Sequence, residues 1–169
     1  MMKIYMIPIL MIFISSCNST PNLAKKDLKE IAKEIMTTAK NCALITIDAE
    51  GVAHARAMDP FLPEEDFTVW MGTNSKSLKV QQIQKNKNVT LYYFDAKSES
   101  YVTLQGVASM VNSPVKKEKY WKTAWKNFYK NKATDYILIK FTPNKATIIS
   151  EKYTVLGDTI TWKAPQLNF

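Results

Sequence analysis

The segment Val69 to Ile83, VWMGTNSKSLKVQQI, puts Thr73, Asn74, Ser75, Lys76, Ser77 and Lys79 where a strand runs into a helix. These residue types suit an anion. Thr73, Asn74 and Ser75 are good helix N-cap residues. A helix N-terminus offers unpaired N–H groups and positive potential. Hydroxyls at Thr73, Ser75 and Ser77 can donate to phosphate oxygens. Lys76 and Lys79, three residues apart, fall on roughly one side of a helix. Arg56, on the preceding strand, can add a bidentate contact. Taken alone, the stretch leaves two readings open: a phosphate dianion site, or a capped helix with a solvated lysine face.

Other chemistry is scarce. A single histidine, His54, cannot build a multi-histidine metal centre, and Cys17 and Cys42 do not form a spaced zinc set. Gly51, Gly72, Gly106 and Gly157 make neither a Walker loop nor a dinucleotide fingerprint. A serine triad would need His54, and no nucleophile-elbow pattern accompanies it. Glu64-Glu65-Asp66 reads as a solvated loop rather than a catalytic carboxylate pair. The net charge of +8 would suit nucleic acid, an anionic membrane surface or an anionic small ligand. Its lysines are dispersed rather than massed, and the aromatics fall at core-like spacings, so nucleic acid is not the expected partner.

The N-terminus suggests export. A basic start is followed by an apolar run from Ile4 to Ile14, too short to span a bilayer and of the length of a signal-peptide core. It ends Ile14-Ser15-Ser16-Cys17, which resembles a bacterial lipobox. The expectation is a lipoprotein signal peptide at 1–16, lipidation on Cys17 that anchors the chain to a membrane of the cell envelope, a tether at 17–24 and one domain at 25–169. An ordinary cleaved signal, or a disulfide between Cys17 and Cys42, is the competing reading. A lone Cys42 is otherwise a small core residue.

The elements that must position the candidate site follow from periodicity. Leu28, Ile31, Ala32, Ile35, Met36 and Ala39 mark an amphipathic helix within 25–40. Ala43–Ile47 and Val52–Met58 flank the turn signal Asp48-Ala49-Glu50-Gly51, a hairpin. A strand at Phe67–Met71 leads into a helix at Ser77–Lys87. Strands follow at Val89–Phe94 and Tyr101–Val111, with a bulge or close approach at Gly106. Pro114 starts a helix expected to reach about Tyr129. Tyr136–Phe141 and Ala146–Ile149 form a strand pair around Pro143-Asn144, and Thr159–Trp162 a last short strand. The expected class is β-rich α+β, mostly antiparallel and closed into a barrel.

His54-Ala55-Arg56-Ala57-Met58, VWMGTNSKSLKVQQIQKNKNVTLYYFD and Leu104-Gln105-Gly106-Val107-Ala108 together resemble the pyridoxamine 5′-phosphate oxidase-like, FMN-binding split-barrel family, and in particular its general stress-protein branch. Trp121, Phe128-Tyr129 and Asp135 are similar to that family's tryptophan, aromatic pair and aspartate. The resemblance implies a six-stranded antiparallel split β-barrel with flanking helices, a homodimer, and FMN at the subunit interface. It implies that Arg56 and Lys79 grip the phosphate, helped by Thr73, Ser75, Lys76 and Ser77. Main chain at Ala57, Met58, Met71 and Gly72 would lie against the isoalloxazine ring, and Trp121, Phe128 or Tyr129 would come from the partner subunit. Leu78 stands where the oxidases proper carry a second phosphate-binding arginine, and Thr161–Phe169 lacks their arginine-histidine motif. The implied function is therefore an FMN-binding redox protein that is not a true pyridoxamine phosphate oxidase. A haem-binding barrel with His54 as axial ligand and a non-enzymatic binding lipoprotein are the alternatives.

Overall fold

The computed structural model describes residues 26–169; the expected signal peptide, Cys17 and the tether lie outside them. Helix α1 (Leu28–Ala39) starts at Asp27, whose carboxylate accepts from the Lys29 amide, and buries Ile31, Ala32, Ile35 and Met36. Its apolar stripe lies against the sheet, where each large aliphatic side chain contributes roughly 1.5–3 kcal/mol of burial.

The strands are β1 (Cys42–Ile47), β2 (Ala53–Met58), β3 (Val69–Asn74), β4 (Asn88–Asp95), β5 (Ser100–Val111), β6 (Tyr136–Ile149) and β7 (Gln166–Asn168). They form one antiparallel sheet in the order β2-β1-β4-β5-β6-β3, with β7 added on β6. The sheet has seven strands rather than the six expected, and its hydrogen-bond ladder does not close. Beyond β2, among the described residues, the bridge between Pro60 and Met71 and the bond from the Phe61 amide to the Trp70 carbonyl (2.9 Å) are what reach β3. Pro60 and Pro63 have no N–H to offer that pairing, and the expected closed barrel is an open sheet.

Helix α2 (Leu78–Lys85) joins β3 to β4. After β5 come α3 (Pro114–Lys119), a 3-10 turn (Thr123–Asn127) and α4 (Lys132–Asp135). The expected single helix from Pro114 to Tyr129 stops at Tyr120. The Tyr120 carbonyl accepts from the Tyr136 hydroxyl instead of continuing the helix ladder. The expected strand pair around Pro143 is one continuous β6. Pro143 sits opposite Gly106, where the β5–β6 register shifts, so its missing N–H costs no ladder bond. The last strand is Gln166–Asn168, while Thr159–Trp162 forms a turn.

Two apolar cores result. One, inside the curl of the sheet, unites Ile35, Leu44, Met71, Leu91, Leu104 and Phe141. The other lies on the opposite face of β3 and β6 and is built from Trp70, Tyr120, Trp125, Tyr136 and Leu138.

Candidate functional site

Strand β3 carries Thr73 to the sheet edge and then turns. Asn74 closes the turn by accepting from the Lys76 amide (2.9 Å). Ser75 is fastened to α4, its amide donating to the Asp135 carbonyl (2.8 Å) and its hydroxyl to the Thr134 carbonyl (2.7 Å). Ser77 is the N-cap residue of α2, yet its side chain makes no capping bond. Its hydroxyl lies 3.3 Å from the Thr73 hydroxyl. Capping therefore does not account for Ser77.

Nor is Lys79 a solvated lysine. It is half-buried, and its ammonium donates to the Thr73 hydroxyl (3.1 Å). Burial, followed by the nearby charge of Arg56, pulls its pKa below the ordinary lysine value. Arg56, on β2, reaches across β1 to α2. It donates to the Thr46 hydroxyl (2.6 Å) and to the Gln82 side-chain carbonyl (3.1 Å), and burial lowers its pKa too. Neither cation makes an ion pair among the described residues. Gln82 is almost fully buried, and its Nε2 has no acceptor there. Two uncompensated cations, two adjacent hydroxyls and an orphaned amide donor are the donor set of an anion site. The residues present fit a phosphate group.

Beside this cradle lies a cleft of about 490 Å³, within the size range of small-molecule sites. Ala57, Met58, Gly72, Thr73, Lys79, Phe128 and Tyr129 line it, together with Asp59, Ala124 and Trp125. Of the other candidates, Met71, Lys76 and Trp121 do not line this cleft. Met71 is fully buried in the core. Lys76 is exposed, and its charge acts on Asp135. Trp121 packs among Trp125, Tyr129 and Tyr136 under the Lys132 ammonium. Phe128 and Tyr129 line the cleft of their own chain.

Three site residues escaped the sequence reading. Thr46 and Gln82 hold Arg56, and Gln82 is a polar residue on the inner face of α2 where periodicity predicts an apolar one. Trp125 covers the backbone at Gly72. A Cβ there would come within 2.4 Å of the indole and 2.5 Å of the Tyr136 ring. In the sequence, the available signal is Gly72 itself, a glycine within a strand that marks a close approach. His54 faces elsewhere: its Nε2 lies 2.7 Å from an Asp48 carboxylate oxygen in the β1–β2 turn, and it does not line the 490 Å³ cleft.

Residues 26–161 match the family described as pyridoxamine 5′-phosphate oxidase like. The chain belongs to that family. It is 25% identical over 118 residues to general stress protein 26 of Bacillus subtilis, covering 68% of this chain and 82% of the relative. The crystal structure of general stress protein 26 from Bacillus anthracis aligns with a TM-score of 0.67 at 24% identity, over 84% of this chain and 98% of that one. A pyridoxamine 5′-phosphate oxidase-related, FMN-binding protein of Nostoc punctiforme aligns at 0.61 and 11% identity, over 83% and 92% of the two chains. A haem-binding protein of Mycobacterium smegmatis aligns at 0.62 and 13% identity, over 75% and 55%. These structures share the fold of this pyridoxamine 5′-phosphate oxidase-like chain.

Proposed function

We propose that this protein is an FMN-binding redox protein held at a membrane by lipid on Cys17. The observation that carries the reading is the pairing of Arg56 with Lys79. Two half-buried cations crowd one another and have no acidic partner among the described residues. A dianionic phosphate would offset that repulsion, with Thr73, Ser77 and the Gln82 amide as further donors. The ring system would then lie along the cleft, with Ala57, Met58 and Gly72 on one side and Trp125, Phe128 and Tyr129 on the other. FMN, when bound, supplies the electron chemistry; the chain binds, orients and shields it.

The family's FMN-binding relative supports this cofactor. The haem-binding relative supports the alternative less well here, because Asp48 engages His54 outside the cleft. Leu78 is exposed where the oxidases' second arginine is expected, so the reading stops short of pyridoxamine phosphate oxidation. Homodimerisation is part of the proposal. The exposed face of β1, β2 and β4 bears Ala43, Ala55, Ala57, Tyr92 and Phe94 around a shallow groove, an apolar surface suited to a second copy.

The test is a titration of the purified protein with FMN, read by quenching of flavin fluorescence and by the absorbance spectrum. Binding is expected. Arg56→Ala and Lys79→Ala should each weaken it about ten- to hundredfold, the range for a hydrogen bond to a charged group. Absence of flavin binding, or unchanged affinity in both variants, overturns the assignment.

A further inference from the structure

After β6 the chain does not run directly into β7. It forms a hairpin at 156–163 that stands away from both cores. At its base the Ser150–Val155 bridge and the bond from the Ile148 amide to the Pro165 carbonyl (3.1 Å) hold the two arms. At its tip the Asp158 carboxylate accepts from the amides of Ile160 and Thr161 and from the Thr161 hydroxyl. The Trp162 amide donates to the Asp158 carbonyl, and the Asp158 amide donates to the Lys163 carbonyl. This built turn does not bury its large side chains. Ile160 is 87% and Trp162 84% exposed, with Leu156 at 52%. Trp162 also has a φ of 59°, an unfavourable backbone region for a bulky residue.

The chain enters the described structure beside the 151–154 turn, which leads into this hairpin. The Lys26 ammonium pairs with Glu34 and donates to the Tyr153 hydroxyl, and the Lys152 ammonium and the Tyr153 hydroxyl both donate to the other Glu34 oxygen. The roughly nine residues from Cys17 to Lys26 can reach at most about 30 Å. Acyl chains on Cys17 would therefore keep the base of the hairpin within one protein diameter of the bilayer.

From these two observations we propose that the 156–163 hairpin is a membrane-docking wedge, placing Ile160 and Trp162 in the headgroup region of a lipid surface. Tryptophan is at home there, its ring apolar and its N–H able to find water or headgroup oxygens. Asp158 stays an ionised carboxylate, tied to the turn through one oxygen, so the wedge would keep it on the water side while Ile160 and Trp162 enter the headgroup region. The proposal rests on the lipid-anchor reading and makes the hairpin a second point of contact that fixes how the domain faces the membrane.

The test uses the full chain mixed with vesicles of phosphatidylethanolamine and phosphatidylglycerol, some carrying brominated acyl chains. The Trp162 signal is the difference between wild type and Trp162→Phe. Brominated lipid should quench that signal, and Ile160→Asp should reduce the quenching several-fold. Vesicle sedimentation of wild type and Cys17→Ser reports the anchor separately. Sedimentation without Trp162-dependent quenching leaves the anchor standing and overturns the wedge. Quenching that survives Cys17→Ser supports the wedge, and sedimentation equal in wild type and Cys17→Ser removes the anchor. Neither sedimentation nor quenching overturns both.

Discussion

Lys79 carries the sharpest consequence at the residue scale. Its pKa is lowered from the ordinary 10.5, first by burial and then by Arg56. In the free protein the unfolded chain therefore binds the Lys79 proton more tightly than the folded one, so stability should rise with pH between the lowered value and 10.5. A bound phosphate reverses the local sign, since it favours the charged ammonium. FMN affinity should be flat from neutrality, where the phosphate is dianionic, and should fall as pH rises through the lowered Lys79 value, ahead of 10.5. Dissociation constants measured from neutrality to pH 10.5 check this. Lys79→Arg should remove the falling limb, and an identical fall in that variant would sink the assignment. Gln82 makes a separate prediction. Its carbonyl accepts from Arg56 and Thr46 while its Nε2 is orphaned. Gln82→Met should weaken FMN several-fold by freeing Arg56 and removing the Nε2 donor, and should also lower thermal stability, because the buried Thr46 hydroxyl and Arg56 both lose their shared acceptor while one unsatisfied donor is removed. Unchanged FMN affinity in this variant would contradict it.

At the scale of elements, β5 and β6 meet at Gly106. A Cβ there would lie 2.2 Å from the Thr142 carbonyl oxygen and 2.8 Å from the Pro143 Cα, both backbone atoms that cannot swing aside. Gly106→Ala should cost about 3 kcal/mol or more, at the upper end of overpacking effects. Gly51→Ala meets nothing within 4 Å and should cost only about 1 kcal/mol, from its φ of 84°. Chemical denaturation of both variants tests the order; equal losses would show that the bulge yields. This close approach was legible in the sequence, as were α1, the β1–β2 hairpin and the strand–turn–helix of the site, because their periodicity or turn residues are local. The extent of β6 was not legible. Pro143 reads as a break, and only its partner across the sheet, Gly106, makes it tolerable. The segment after α3 departs from the expected single helix for a similar reason. Trp121, Trp125 and Tyr129 recur at helical spacing, but they converge on Tyr136 from a broken chain. The candidate site divides likewise: Arg56, Thr73 and Lys79 announce themselves by type, whereas Gln82 and Trp125 matter through tertiary neighbours.

For the whole molecule, one carboxylate ties the start of the described chain to the turn that follows β6. Glu34 on α1 gathers Lys152, Lys26 and Tyr153, linking the first helix to the segment that follows β6. This clasp also relates the entry of the chain to the 156–163 hairpin, so it would help set the domain's attitude to a membrane. The hydrogen bond from Lys152, then those from Lys26 and Tyr153, hold the Glu34 pKa down at about 2, against an ordinary 4.5. A depressed carboxylate contributes stability that is complete above the unfolded value and is lost as pH falls through the folded one. The window is therefore pH 4.5 down to about 2. Glu34 is partly exposed, so solvent screening holds its contribution to roughly 1 kcal/mol, despite the size of the shift. Glu34→Gln should lower the unfolding free energy by about that amount at neutral pH. The difference between variant and wild type should shrink below pH 4.5 and vanish near pH 2. Urea unfolding at several pH values measures it. A constant difference across the window would mean that the carboxylate acts through packing rather than charge.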